Sequence, residues 1–327
     1  MIWDAIHYYI FGNNIALLII FPIMLKIWVK ASTGVFRSKK RMDGKTVIVT
    51  GANTGIGKET ALELAKRGAR VILGCRDLER GKKAQDEIIV NSGNKNVVLH
   101  KLDLSSLNSV REFAQTIINT ESHLEVLINN AGCGGLPYKK TADGLDLVMQ
   151  TNYFGPFLLT VLLLGLLKKS APSRIVVVSS VLHYFSTLRV ENINDKKPFH
   201  YVMAYNDSKM ANILMANELA RKLKGTGVTC NSLHPGVIKT DIWRNAPFAG
   251  IVMKLLFGIF WKNVNEGAQT TLYLAVSEEV EGVSGKYFVD CKEASTRRTA
   301  QDIQLAKKLW EKSEELVKLQ PSEKLYL

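Results

Sequence analysis

The chain is poor in the residues that build metal centres and disulfide frameworks. Its four cysteines, Cys75, Cys133, Cys230 and Cys291, are scattered, form no C-x-x-C pair and have no histidine at ligand spacing. Reduced thiols in a cytosol-facing protein are expected, and no metal. Internal repeats and low-complexity segments are missing, and no composition break marks a second domain. There is no nucleic-acid motif and no basic helix interleaved with aromatics. The excess of 43 Lys and Arg over 30 Asp and Glu, a net charge of +13, therefore points to an anionic membrane surface or a phosphorylated ligand. No nucleic-acid partner is expected. The one glycosylation sequon, Asn206-Asp207-Ser208, sits among residues singled out below for chemistry, which speaks against a secreted glycoprotein.

No Lys or Arg precedes the first hydrophobic run, and Asp4 lies ahead of it, against a cleaved secretory leader. That run, Ile15 to Leu25, is extended by Tyr8 to Phe11 and by Ile27 to Val29. Despite Asn13 and Asn14 it reaches the roughly 20 apolar residues that a spanning helix needs. Residues 1–29 are expected to be a membrane anchor, spanning the bilayer or lying on it. Lys26, Lys30, Arg37, Lys39, Lys40 and Arg41 follow, and basic flanks stay cytosolic. Residues 30–43 read as a basic linker, and 44–327 as one catalytic domain facing the cytosol.

Within that domain short β-branched runs alternate with helical patterns. Thr46 to Thr50, Val71 to Leu73, Val97 to Leu99, Val126 to Ile128, Ile175 to Val178 and Val228 to Leu233 read as strands, and Lys58 to Lys66 as a helix. Near-continuous apolar runs mark strands buried on both faces, so the pattern predicts a doubly wound (Rossmann) α/β fold with a parallel sheet. The segment from Asn152 to Leu167 is apolar enough to resemble a membrane span, but its polar residues and its place between two strands favour a buried helix or a subunit interface.

The first strand runs into Gly51-Ala52-Asn53-Thr54-Gly55-Ile56-Gly57, and a helix follows. Glycines there let the backbone approach a pyrophosphate, which rests on the positive helix end. At the end of the second strand an NAD site would carry an acid. Here Cys75 takes that place and Arg76 follows, a guanidinium suited to a 2′-phosphate, so NADP(H) is the expected cofactor, with Lys58 adding to the positive field. Asp103-Leu104 ends the third strand, where an adenine would lie, and Asn129-Asn130-Ala131-Gly132 ends the fourth; together they outline one crevice.

Tyr205 and Lys209 are four apart and share a helix face, after a strand that ends in Ser179-Ser180. A phenol is a poor acid-base group at neutral pH unless a cation stabilises its anion. In this reading Lys209 supplies that charge and holds the nicotinamide ribose. Ser180 donates to the substrate oxygen, and Asn152 tethers a water that relays protons to Lys209. His183 and Tyr184, just after Ser180, are expected to pack there or to line the pocket.

In order, Thr50 to Gly57, Asn129 to Gly132, Asn152, Ser180, Tyr205, Lys209 and Pro235-Gly236 with Thr240 resemble the motifs of the short-chain dehydrogenase/reductase superfamily, over about Lys45 to Asp290. The resemblance implies a seven-stranded parallel sheet, an Asn-Ser-Tyr-Lys tetrad, and nicotinamide contacts from Pro235, Gly236 and Thr240. Asn53 to Lys58, Gly74 to Asp77, Asp290-Cys291-Lys292 and the N-terminal run are similar to the microsomal retinol dehydrogenase group, which implies an endoplasmic reticulum membrane, NADPH and retinaldehyde. An apolar stretch near 245–265 reads as a cap over a lipophilic substrate or as a homodimer contact. A broad reductase of steroid ketones or lipid-derived aldehydes is the competing enzyme reading; a membrane-tethered, non-catalytic NADP-binding protein is the other.

Overall fold

A computed structural model describes residues 33–238 and 261–326, together with Met24, Leu25, Ile27 and Lys30. Most of the expected anchor, Thr240 and nearly all of the expected substrate cap lie outside the described residues.

The elements alternate as the apolar pattern requires. In chain order they are β1 (Thr46–Thr50), α1 (Gly55–Lys66), β2 (Arg70–Cys75), α2 (Leu78–Ser92), β3 (Val97–Lys101), α3 (Leu107–Thr120) and β4 (Val126–Asn129). Next come α4 (Leu147–Lys169), β5 (Ser173–Val178), α5 (His200–Lys222), β6 (Val228–His234) and β7 (Val237–Ile238). The chain ends with β8 (Trp261–Lys262), α6 (Val264–Val276), β9 (Tyr287–Val289), β10 (Lys292–Glu293) and α7 (Ile303–Leu316).

The main sheet runs β10-β9-β6-β5-β4-β1-β2-β3, parallel throughout except for β10. Its central strands are sealed on both faces; every residue of β1 and β4 is buried. One side packs α1, α2 and α6, the other α3, α4 and α5. Sequence order reverses between β1 and β4, so the crevice beyond their C-terminal ends is where an open α/β sheet receives its ligand.

The sheet has eight strands, not the seven that the resemblance implied. The eighth, β10, is a two-residue antiparallel edge joined to β9 by Asp290 and Cys291, at φ 53° and 59°. Two-residue hairpin loops need positive φ, and Asn-Gly is their usual sequence. Asp-Cys does not advertise such a turn.

The apolar segment α4 has the length and hydropathy of a membrane span, but 83% of its apolar window is buried inside the protein. Its outer side is covered by the chain's own C-terminus. Trp310 on α7 packs edge-on against Phe157, centroids 4.8 Å apart, and against Tyr326 at 5.0 Å. The Lys222 ammonium lies over both rings of that second pair. Glu314 accepts from the Trp310 indole at 2.7 Å and also from Tyr326 and Lys324. Trp310 is 3% exposed, so truncating it removes a large apolar contact and leaves Glu314 short of a donor. Trp310→Ala should lower the unfolding free energy by about 3–5 kcal/mol, read as an earlier urea midpoint; a midpoint equal to the parent's would show that the tail is not part of the fold.

The expected basic linker is fastened to the domain from residue 33 onward. Gly34 donates to Asp290 Oδ1 at 3.2 Å and Phe36 to Gln269 Oε1 at 3.0 Å. The Phe36 ring sits between Tyr273 and the Arg67 guanidinium, which also donates to the carbonyls of Ser38 and Lys40.

Candidate active site

The strand ends at the reversal point open onto a cavity of about 710 Å³. Its floor is the turn from β1 to α1. Gly51 and Gly55 have φ of 67° and 55°, which let the chain double back. A Cβ on Gly57 would collide with the Asn130 side chain and the Gly51 carbonyl, so only glycine lets the start of α1 pack this closely on the ends of β1 and β4. Thr54 caps α1 without a side-chain hydrogen bond, and the first helical turn has no acid. The N–H groups of that turn are therefore left for an anion. Asn53, Thr54 and Ile56 line the same floor.

Thr50 knots β1 to β4. Its hydroxyl accepts from the backbone of Asn130 and of Ala131, each at 3.0 Å, while Asn130 Nδ2 donates to the Thr50 carbonyl at 2.9 Å. Asn130, Ala131 and Gly132 thereby face the cavity. Asn129 turns the other way and donates to Thr160 at 2.8 Å, a buried structural contact.

At the β2 and β3 ends, Arg76, Asp103 and Leu104 line the cavity. Arg76 is exposed and forms no ion pair among the described residues. Neither acid beside it claims it: Asp77 instead caps α2 by accepting from the Arg80 backbone at 3.0 Å. Lys58 is removed from the positive field expected of it, because its ammonium pairs with Glu87. Arg80, a second guanidinium lining the cavity, was not among the expected residues; it stands in the first turn of α2, the helix that follows Arg76.

Ser180, Tyr205 and Lys209 meet at the opposite end. Tyr205 lies more than one turn inside α5, whose N-cap is Phe199 at φ 47°. Ser180 is the hydrogen-bonding partner of the Tyr205 hydroxyl, and its own Oγ accepts from Leu182 N at 3.2 Å. His183, buried beneath it, contacts the Ser180 carbonyl through Nδ1 at 2.7 Å, and Tyr184 donates to the Ser295 carbonyl at 3.0 Å. Lys209 donates to the Val178 carbonyl at 3.1 Å, with its ammonium 5.4 Å from the centre of the Tyr205 ring.

Burial dominates both titrations. It pushes the Tyr205 phenol up to about 12, against the Ser180 hydrogen bond. It pulls Lys209 down to about 8. The expectation that Lys209 makes the phenol more acidic is not met in this structure, since desolvation of two buried groups outweighs their interaction.

Asn152 lies in a π-helical turn of α4, Gln150–Phe154, a distortion that aims its amide out of the helix ladder. Oδ1 accepts from Cys133 N at 2.8 Å; Nδ2 donates to the Cys133 carbonyl at 2.8 Å and to Ser208 at 3.0 Å. The amide thus clamps the β4 loop to α5 rather than reaching Lys209 directly. Pro235 and Gly236 line the cavity beside Lys209. Asn206 is 2% exposed, which leaves no room for a glycan.

The family model for short chain dehydrogenases matches residues 45–248. Human retinol dehydrogenase 11 is 47% identical over 308 residues, covering 93% of this chain and 96% of that protein. Bovine retinol dehydrogenase 12 is 46% identical over 284 residues, 87% of this chain and 90% of its own length. Among solved structures, a putative uncharacterized protein of Mycobacterium paratuberculosis superposes with a TM-score of 0.70 at 33% identity, covering 85% of this chain and 95% of that one. Pseudomonas aeruginosa RhlG, solved as an NADP active-site complex, gives 0.63 at 25% identity over 77% of this chain and 97% of that one.

Proposed function

The chain belongs to the short-chain dehydrogenase family, and from that premise we propose that it is an NADP(H)-dependent oxidoreductase acting on a lipophilic aldehyde or alcohol, retinaldehyde and retinol first. That it is an oxidoreductase of the retinol dehydrogenase group with a nicotinamide cofactor follows from the family and its relatives. The finer reading rests on one observation: the Ser180 and Tyr205 hydroxyls and the Lys209 ammonium converge on the wall of a cavity whose far end carries Arg76, unpaired among the described residues.

The residues present fit a dinucleotide. The glycine floor and the open end of α1 would hold its pyrophosphate, Arg76 a 2′-phosphate, and Asp103 and Leu104 its adenine. When bound, that cofactor supplies or accepts hydride. Everything else falls to the chain. Ser180 and Tyr205 hydrogen-bond the substrate oxygen, and Tyr205 passes its phenolic proton to the alkoxide that forms on reduction. Lys209 holds the nicotinamide ribose and keeps positive charge under the phenol. Asn152 fixes the loop and helix that carry them. Leu136, Leu147, Leu182 and Val264 give the cavity an apolar flank for a lipophilic chain. Residues 1–29 serve as the anchor to the endoplasmic reticulum membrane, with the domain in the cytosol, a reading supported by the basic residues that follow them.

The test compares NADPH consumption, in membranes carrying the protein, on retinaldehyde, a steroid ketone and a medium-chain aldehyde. Preference for retinaldehyde supports the assignment; higher kcat/KM on the steroid ketone overturns it, and binding of NADPH without turnover of any carbonyl removes the enzyme reading.

A pH dependence follows from Lys209. Its pKa is depressed to about 8, so the ammonium is present below that pH and lost as pH rises through it. Reductive kcat/KM should therefore fall in the mildly alkaline range, by about tenfold per pH unit beyond the pKa. A flat profile far into the alkaline range would remove Lys209 from the reaction.

A further inference from the structure

Four aromatic rings are exposed among the described residues, Tyr184, Phe185, Phe199 and Tyr201, and all four stand at one end of the domain. In a parallel sheet every strand finishes on the same side. The segment after β5 and the start of α5, which carry these rings, therefore share the end onto which the cavity opens. They also adjoin the cavity itself. Phe185 closes a short 3₁₀ helix that begins with Val181 and Leu182, which line it. The Tyr201 carbonyl accepts from Gly135 N at 3.2 Å, between the lining residues Gly134 and Leu136.

Exposed rings scattered over a surface need no explanation, but rings gathered at one end mark a contact with something apolar. Phe199 adds a second sign. It is 87% exposed and holds φ at 47°, a conformation that bulky side chains avoid and that asparagine or glycine adopts at less cost. The fold gains little from a phenylalanine there. We propose that this end of the domain lies on the surface of a phospholipid bilayer, with Phe185, Phe199 and Tyr201 among the headgroups, so that a lipophilic substrate enters the cavity without crossing bulk water. This rests on the anchor and the lipophilic substrate proposed above.

The route by which the chain enters the domain selects a bilayer over other apolar partners. The expected anchor ends at Val29. The next residue, Lys30, has its ammonium 3.6 Å from Glu266 in the first turn of α6. Gly34 donates to Asp290, in the turn between β9 and β10, and a Cβ on it would come within 2.1 Å of the Asp290 carbonyl oxygen, so only glycine lies this close. Both contacts are at the cavity end: Val264, which opens α6, lines the cavity, and β9 runs parallel to β6. From there the linker descends along α6, through Phe36 at Gln269, to Lys40, whose ammonium is 3.5 Å from Glu278 beyond the other end of that helix. A lysine at the end of an anchor sits at headgroup level, and aromatic rings are enriched at the same depth. The tether and the rings thus face the bilayer together.

The test places an environment-sensitive fluorophore on a cysteine introduced by Phe185→Cys, in the full chain reconstituted into phosphatidylcholine vesicles. Val90→Cys is the reference, since Val90 is exposed near the end of α2, on the opposite side of the sheet; the unsubstituted chain gives the background from native thiols. The label at 185 should shift to the blue and be quenched by a lipid spin-labelled near its headgroup, as expected for a depth of about 5–10 Å. The label at 90 should do neither. Quenching at 185 no greater than at 90 overturns the proposal, and a blue shift without quenching does so in favour of a protein surface such as a second copy. A second readout combines Phe185→Ser, Phe199→Asn and Tyr201→Ser. KM for retinaldehyde dissolved in the vesicles should rise roughly tenfold with kcat unchanged, while kcat/KM for a medium-chain aldehyde in water stays at the parent value. An unchanged KM for retinaldehyde, or an equal loss on both substrates, overturns the proposal. Flotation separates the failures. A parent chain that does not float with the vesicles removes the anchor reading and this inference together; one that floats with an unquenched label at 185 keeps the anchor and loses only the docking. Quenching needs no turnover, so it is decided apart from the enzyme reading.

Discussion

Tyr205→Phe should bind NADPH as the parent chain does and reduce retinaldehyde at least about 10³-fold more slowly, a barrier increase of about 4 kcal/mol. The substitution removes one oxygen from a side chain that is 7% exposed and leaves the ring where it packs, so fold and cofactor site persist. What disappears is the phenolic proton proposed to reach the substrate oxygen. The direction of the Tyr205 shift matters here. With burial holding the phenol near 12, it is protonated throughout the neutral range, the form that reduction consumes. Oxidation needs the opposite form, and its rate should climb with pH as the phenolate becomes accessible. Stopped-flow hydride transfer with retained NADPH binding separates this chemical loss from unfolding. A variant that keeps even a tenth of the parent rate would mean that another group delivers the proton. Ser180→Ala should cost less, since it removes a hydrogen bond to the substrate oxygen and leaves the proton donor in place.

That Ser180, Tyr205 and Lys209 would share one crevice was legible because they sit on elements whose periodicity is strong. Strands sealed on both faces announce themselves as apolar runs, and the loops at their ends then fall into register as one crevice. Arg76 was readable for the same reason, as the residue just past β2. What stayed hidden depends on distances that no spacing encodes. Lys58 follows the glycine turn, yet Glu87 on α2, remote in sequence, takes its charge. The spacing of Asn152 did not show that a π-helical turn sets its amide on the Cys133 backbone. The mutual desolvation of Tyr205 and Lys209 is likewise a property of the packed interior, since the same two residues on an exposed helix would titrate normally. The cover over α4 comes from residues 153 positions downstream, Trp310 against Phe157, which is why the helix alone read equally well as buried or as a subunit contact.

Arg76→Asp should reverse the cofactor preference. A charge-assisted bond from a guanidinium to phosphate is worth about 1.5–3 kcal/mol, or roughly 10- to 100-fold in affinity. Arg76 is exposed, so solvent and salt hold the loss toward the lower part of that range. The introduced carboxylate adds two further effects of opposite sign. It repels the 2′-phosphate of NADPH and accepts from the ribose 2′-hydroxyl of NADH, the arrangement that selects NAD in this class of fold. Together they should move the NADPH/NADH ratio of kcat/KM by about 10²–10³. Arg80 decides how complete the reversal is. It lines the same end of the cavity and forms no ion pair among the described residues, so it still attracts the phosphate after Arg76 is gone. Arg76→Asp combined with Arg80→Gln should therefore surpass the single change, with NADPH losing further and NADH little affected. Ionic strength provides the independent check. Salt should weaken NADPH binding to the parent far more than NADH binding, and that difference should reverse in the double variant, where salt screens the repulsion between the carboxylate at 76 and the 2′-phosphate. Equal salt dependence for the two cofactors in the parent chain would show that the 2′-phosphate is held by something other than these guanidinium groups.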